Sequence, residues 1–113
     1  MGPEVKELEA ALAAHAGTAH CITVASGTEA LLIAMMALDI KPGDEIITTP
    51  FTFAATAETI VLLGAVPVFV DIRADNLNIN ETLIEQAVTP KTKAIVCVHY
   101  AGVACEMDAI MAV

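Results

Sequence analysis

The residues best suited to chemistry sit at a turn, Val24-Ala25-Ser26-Gly27-Thr28-Glu29-Ala30-Leu31, where a β-branched run passes through small polar residues and glycine into an apolar helix. The first N–H groups of a helix have no intrahelical acceptor, and the aligned peptide dipoles place partial positive charge there, so a phosphate is favoured. Gly27 lets a ligand approach the main chain closely, and the Ser26 and Thr28 hydroxyls are further donors. The same residue types also start helices as plain N-caps, so the turn reads both as an anion site and as a simple helix start.

Three further groups have chemical potential. Pro50-Phe51-Thr52-Phe53 carries two aromatic rings able to lie against a flat ligand, and His99-Tyr100-Ala101-Gly102 is a second polar and aromatic loop. Core packing is the plain alternative for both phenylalanines; the expectation is that Phe53 faces a ligand and Phe51 turns inward. Cys97, His99 and Cys105 are metal-ligand types, but their spacing matches no standard zinc pattern, and no metal is expected.

The elements that must position these residues follow from periodicity and punctuation. Pro3 to about His15 reads as a helix, with proline at its first position, Val5, Leu8 and Leu12 on one face and Gly17 as its stop. His20 to Val24 reads as a strand and Thr28 to Leu38 as a helix, apolar around most of its circumference and therefore expected to be buried. Lys41-Pro42-Gly43-Asp44 is a turn into a strand, Glu45 to Thr49, that Pro50 stops. Ala54 to Leu63 reads as a helix closed by Gly64, Val66 to Val70 as a strand ending at Asp71, and Asn80 as the cap of a helix reaching about Ala87. The turn Thr89-Pro90-Lys91-Thr92 leads to a strand, Ala94 to Val98, and a last helix begins near Met107.

Strands that are apolar throughout and alternate with helices predict an α/β fold, a mainly parallel sheet with helices on both faces. In such sheets ligands gather beyond the carboxyl ends of the strands. The Ser26 turn, the Phe51–Phe53 segment and the His99 loop each follow a predicted carboxyl end. A phosphate cradle, an aromatic pair and a polar loop at one sheet edge suit a planar, phosphorylated heteroaromatic cofactor.

Composition narrows the class. At 113 residues there is room for one domain with a modest core, yet 57% of the residues are hydrophobic and the mean hydropathy is +0.71. That is more apolar surface than so short a chain easily buries, so something else is expected to cover part of it. A membrane is not expected to do so, since Asp39, Lys41, Asp44, Glu58 and Asp71 interrupt every apolar run. With 5 Lys+Arg against 14 Asp+Glu, the net charge of −9 opposes binding to nucleic acid or anionic lipid. The start of the chain resembles no export or acylation signal, and three cysteines fit reduced thiols, so a cytoplasmic setting is the expectation.

Ordered blocks along the chain resemble one family. Gly2-Pro3-Glu4-Val5, Ser26-Gly27-Thr28-Glu29-Ala30-Leu31, Lys41-Pro42-Gly43-Asp44-Glu45, Thr49-Pro50-Phe51-Thr52-Phe53, Leu63-Gly64-Ala65 and Val68-Phe69-Val70-Asp71 are similar, in register, to the DegT/DnrJ/EryC1/StrS sugar aminotransferases. Thr89-Pro90-Lys91-Thr92-Lys93-Ala94-Ile95 and Val98-His99-Tyr100-Ala101-Gly102 continue the resemblance, which covers nearly the whole chain. The ending Val103-Ala104-Cys105-Glu106-Met107-Asp108 is most similar to members that aminate 4-keto-6-deoxyhexoses on a nucleotide carrier.

The resemblance implies a pyridoxal 5′-phosphate enzyme of fold type I that moves an amino group from glutamate to a nucleotide-linked keto-sugar, a dTDP-4-keto-6-deoxyhexose being one candidate, in amino-sugar or polysaccharide biosynthesis. It implies that Ser26, Gly27 and Thr28 form the phosphate-binding turn, that Phe53 stacks on the pyridine ring, and that the protein is a homodimer. It also implies that residues 1–113 are part of the large, cofactor-binding domain, truncated at both ends. The lysine that bonds the cofactor and the aspartate that pairs with its ring nitrogen lie beyond Val113 in such enzymes. The chain alone is therefore expected to be inactive, with no catalytic residue of its own.

No lysine present is expected to substitute. Lys91 and Lys93 precede the strand Ala94 to Val98 and Lys41 precedes Glu45, which puts all three at the amino edge, a strand length away from the cradle. Asp71 reads as a strand-terminal turn residue and His99 as a hydrogen-bonded loop residue. Two readings from different classes stand: the cofactor-holding part of an aminotransferase, or a non-catalytic module binding a phosphate ligand or a partner. Which nucleotide carries the sugar, and whether C3 or C4 is aminated, is not written in these residues. In the fold type I sheet that the resemblance implies, the strand matching His20 to Val24 pairs with a late strand, so here it is expected to lose that partner and either to repack onto an exposed edge or to leave the chain marginally stable.

Overall fold

The computed structural model describes residues 2–113 as an α/β unit around three short parallel strands. In chain order these are α1 (Pro3–Ala16), α2 (Gly27–Ala37), β1 (Glu45–Thr48), α3 (Ala55–Leu62), β2 (Val66–Phe69), α4 (Ile84–Ala87, entered through a 3-10 turn at Glu81–Leu83), β3 (Thr92–Val96) and α5 (Met107–Met111). The strand order is β2-β1-β3, and both pairings are parallel.

The central strand explains the layering. Ile46 and Ile47 are neighbours in β1 and both are 0% exposed, because successive strand side chains point to opposite faces and each face is covered. Ile46 joins Met35, Ile40, Ile60 and Ala65 under α2 and α3. Ile47 joins Val70, Ile79, Ile84, Cys105 and Ile110 under α4 and α5. The predicted parallel sheet with helices on both faces is the observed one.

Turn chemistry sets where the elements stop. Gly64 ends α3 with φ +76, and a Cβ there would lie 3.0 Å from Pro42 Cγ, so both the left-handed backbone and the close approach of the Lys41–Asp44 turn call for glycine. That turn is held by Lys41 N–H donating to Asp44 Oδ2 (2.9 Å) and by Gly43 N–H donating to the Gly64 carbonyl (3.0 Å).

Four expectations need correction. His20 to Val24 forms no strand: it has no sheet partner among the described residues, Ile22 is 75% exposed, and the segment is tied to α1, where Glu9 Oε1 accepts both the Thr23 amide and hydroxyl at 2.9 Å. The β3 strand begins two residues earlier than expected. Glu45 pairs with Thr92 and Ile46 with Ala94, so Lys93 lies inside the strand as a bulged residue. The helix α2 is not buried all round: Met35 is buried, whereas Ile33 and Met36 are exposed, because only one face of α2 packs on the sheet. Phe51 does not turn into the core; it is 41% exposed and stands at the sheet edge.

The chain exposes 7294 Å² of surface, against roughly 5,900 Å² for a closed monomer of its 11.7 kDa mass. Its radius of gyration is 15.3 Å, against roughly 13 Å for a compact domain of this length. Leu8 and Leu12 of α1, Leu38 after α2, Val61 and Leu62 of α3 and Phe69 of β2 supply much of the exposed apolar surface. No helix among the described residues is long and apolar enough to cross a membrane.

Candidate functional site

The start of α2 is built by a reciprocal cap. Ser26, extended at φ −155 and ψ 161, accepts the Glu29 amide on Oγ (3.2 Å), and the Glu29 carboxylate accepts the Ala25 amide (2.9 Å). The Ala30 amide donates to the Ser26 carbonyl (3.1 Å), which begins the regular helix. Among the described residues, the amides of Gly27 and Thr28 and the Thr28 hydroxyl have no acceptor, and the Ser26 hydroxyl keeps its hydrogen to donate. A Cβ at Gly27 would meet nothing within 4 Å.

The edge of the sheet to which α2 returns is fixed by topology. Its carboxyl end passes through the Lys41–Asp44 turn into the beginning of β1, so its amino end lies toward the carboxyl ends of the strands. There a cleft of about 590 Å³ opens, lined by Leu31 of α2, Pro50 to Phe53 and Thr56 after β1, and Cys97, Val98 and Tyr100 after β3. Its volume is in the range of small-molecule sites, roughly 300–1,000 Å³. Leu31 is one helical turn on from Thr28, about 4.5 Å along the axis. Ser26, Gly27 and Thr28 stand at the rim of this cleft's helix and are not among the residues lining it.

Threonines shape the segment after β1. Thr48 Oγ1 donates to the Val96 carbonyl (2.8 Å) and joins β1 to β3, while Thr49 Oγ1 accepts the Phe51 amide (3.2 Å). The Thr52 and Thr56 hydroxyls share a hydrogen bond of 3.0 Å, and the Thr56 amide donates to the Phe53 carbonyl (3.0 Å). With its backbone fixed in this way, Phe53 leaves its ring 78% exposed over the cleft. The Phe51 ring packs on Tyr100, with centroids 4.8 Å apart and planes tilted by 50°. Sequence reasoning placed both loops at one edge but missed this pair, because nothing local links two rings so far apart in the chain.

The remaining polar residues have structural partners. Asp71 Oδ1 accepts the Ile72 amide (2.8 Å) and the Asp71 carbonyl accepts the Asn80 amide (2.8 Å), a turn role as expected. His99 Nδ1 accepts the Cys105 amide (3.0 Å), which makes His99 a hydrogen-bonded loop residue as expected. Burial pushes the Cys105 thiol pKa up, the adjacent Cys97 adds to the rise, and Cys105 Sγ donates to the Val98 carbonyl (3.2 Å). No group of three metal-ligand side chains is present among the described residues. No lysine lines the cleft; Lys41 and Lys91 flank the amino ends of β1 and β3.

The residues present fit a phosphorylated planar cofactor. Free amide and hydroxyl donors at a helix start provide for the phosphate, and an exposed aromatic ring over an apolar cleft provides a face for a flat ring.

The chain is similar to known proteins along nearly its whole length. The chain is 52% identical over 112 residues to the spore coat polysaccharide biosynthesis protein SpsC of Bacillus subtilis, matching 99% of this chain and 29% of that protein. It is 52% identical over 113 residues to the UDP-2-acetamido-2-deoxy-3-oxo-D-glucuronate aminotransferase of Pseudomonas aeruginosa, matching 100% of this chain and 32% of that protein. Among solved structures, an aminotransferase from Psychrobacter cryohalolentis superposes with a TM-score of 0.95 at 46% identity, over 98% of this chain and 28% of the other. NtdA from Bacillus subtilis, solved with bound cofactor PMP, superposes with a TM-score of 0.95 at 36% identity, over 97% of this chain and 25% of the other. The chain thus spans about a third or less of the length of the relatives it matches. The family model for DegT/DnrJ/EryC1/StrS aminotransferases matches residues 1–113, and the chain belongs to that family of pyridoxal phosphate-dependent enzymes.

Proposed function

We propose that this chain is the cofactor-holding part of a sugar aminotransferase that passes an amino group from glutamate to a nucleotide-linked keto-sugar. The observation that carries the reading is that the helix whose first amides, Gly27 and Thr28, are free also supplies Leu31 to the cleft lined by the exposed Phe53. In this reading the Gly27 and Thr28 amides and the Ser26 and Thr28 hydroxyls hold the phosphate of pyridoxal 5′-phosphate, and Phe53 covers one face of its ring. The cofactor, when bound, supplies an electron sink for the amino-group exchange. The chain's own work is to anchor, orient and desolvate one side of that ring.

The relatives support a sugar substrate, one of them by a name that specifies a UDP-linked 3-keto sugar acid. A nucleotide-linked 4-keto-6-deoxyhexose, carried by dTDP, is the finer proposal from the segment Val103 to Asp108. The exposed apolar surface of α1, α2 and α3 supports burial against the remainder of a larger domain and against a second copy in a homodimer. A cytoplasmic setting, where nucleotide-linked sugars are made, is part of the same proposal. So is the inactivity of residues 1–113 alone, since the cleft contains no lysine.

The test uses the whole protein with pyridoxal phosphate, glutamate and a nucleotide-linked keto-sugar. Formation of the amino-sugar nucleotide, with loss of cofactor retention in the Gly27→Val, Thr28→Ala double variant, is expected. Full cofactor retention by that variant would overturn the assignment of the cradle, and absence of any amino-sugar product from keto-sugar nucleotides would overturn the substrate class.

A further inference from the structure

The side chain of Asn78 is 1% exposed, and every hydrogen bond it makes goes to one loop. Its Oδ1 accepts the Tyr100 amide (2.9 Å), and its Nδ2 donates to the carbonyls of Val103 (3.1 Å) and Ala104 (3.0 Å). One acceptor facing an N–H and one amino group facing two carbonyls leave a single orientation of the amide.

Both ends of this clamp carry uncommon backbone. Leu77, beside Asn78, has φ +64, and Ala101, beside Tyr100, has φ +50. Non-glycine residues hold such angles only where the surroundings over-determine them. The Asn78 backbone is itself tied down, with its carbonyl accepting the Arg73 amide (2.8 Å), its amide donating to Asn76 Oδ1 (3.0 Å), and an antiparallel bridge joining Ile72 to Ile79. The consequence reaches the cleft, because the pinned Tyr100 is the residue whose ring meets Phe51.

We propose that Asn78 is a positioning residue: from outside the cleft it fixes the loop after β3, so that Tyr100 and Phe51 stand as the wall against which a flat, phosphorylated heteroaromatic ligand is seated. The inference rests on the cleft being the cofactor site. It adds a residue that touches no ligand and sets the shape of the side opposite α2. Substitution by an apolar residue would leave the Tyr100 amide and two carbonyls without partners, so the loop itself, rather than the core, is what must move.

In the whole protein labelled with nitrogen-labelled tyrosine, the Tyr100 amide signal is assigned by its loss in Tyr100→Phe, and labelled isoleucine reports Ile46 and Ile47 in β1 as an internal reference. In Asn78→Ala the Tyr100 amide should exchange with solvent roughly tenfold faster, the loss of one buried hydrogen bond, while the β1 amides keep their rates. Asn78→Asp keeps the side-chain shape, turns the two donated bonds into repulsions, and should give the same local loss should the alanine variant fail to fold. Unchanged Tyr100 exchange in the folded variants, or equal acceleration of the β1 amides, would overturn the positioning role.

Added pyridoxal phosphate separates this role from the reading beneath it. In the unaltered chain it should shift the Tyr100 signal, and in Asn78→Asp that shift should be lost. Equal shifts in both would overturn the role of Asn78. No shift in the unaltered chain would overturn the cleft as the cofactor site and with it the seating of a ligand, while the exchange data would still decide whether Asn78 fixes the loop.

Discussion

Ser26 and Glu29 cap each other's surroundings: the Ser26 hydroxyl takes the Glu29 amide at 3.2 Å, and the Glu29 carboxylate reaches back to the amide of Ala25 at 2.9 Å. The cap therefore satisfies one helix-start donor internally and leaves those of Gly27 and Thr28 without an acceptor among the described residues.

That division of labour separates stability from binding. Ser26→Ala should cost about 1 kcal/mol of folding stability, the usual loss for an N-cap. Gly27→Val with Thr28→Ala should weaken pyridoxal phosphate binding far more than it lowers stability, because a Cβ at Gly27 meets no neighbour within 4 Å and so costs the fold little. Urea unfolding and cofactor titration of the two variants check this, and equal losses in both measurements would contradict it.

The two phenylalanines should respond differently. Phe53, 78% exposed, should lose about 0.5–1.5 kcal/mol of cofactor affinity on change to alanine, with little effect on unfolding. Phe51→Ala should instead release Tyr100 and lower stability, because its ring packs on that residue. Calorimetric binding and thermal unfolding of both variants provide the comparison.

The central strand should be the most sensitive part of the fold. Ile46→Ala and Ile47→Ala each remove a fully buried side chain from a different side of the sheet, and each should destabilise by about 2–5 kcal/mol. Ile22→Ala, on the exposed unpaired segment, should change stability by less than about 0.5 kcal/mol. Denaturant midpoints measure the contrast.

Acid should expose one ion pair. Arg73 grips Asp75 through two hydrogen bonds, Nε to Oδ1 (2.9 Å) and Nη2 to Oδ2 (2.7 Å), and reaches Glu81 with its other amino group (2.7 Å). The guanidinium holds the Asp75 carboxyl at about 2, below its ordinary 3.8. A depressed carboxylate contributes stability that is whole above the ordinary value and is lost as pH falls through the depressed one, so the loss belongs between 3.8 and about 2. Because the pair faces solvent, the effect on unfolding should be small. An NMR titration of the Asp75 carboxyl carbon should show a midpoint near 2, and one near 3.8 would contradict the pairing.

Local signals carried much of the architecture. The strands β1 and β2 lie within one residue of their apolar runs because Pro50 and Asp71 punctuate them, and Gly17 and Gly64 stop α1 and α3 with positive φ as their positions suggested. His20 to Val24 has the composition of a strand but no partner, since pairing is a property of two segments and not of one. The apolar circumference of α2 predicted burial, yet only the side holding Met35 finds the sheet.

For the candidate site, the types and order of Ser26, Gly27, Thr28 and Phe53 were legible because helix-start donors and a loop aromatic are local features. The pairing of Phe51 with Tyr100 and the clamp from Asn78 were not, because each joins residues brought together only when β1 and β3 lie side by side. The sequence by itself determined the α/β class, the helix-start donors and the net charge of −9, all of which follow from composition and from spacing within a few residues. Tertiary structure alone decided which apolar faces are covered, which ring leans on which, and how the cleft closes. Those depend on contacts between distant segments, which a periodic pattern does not encode.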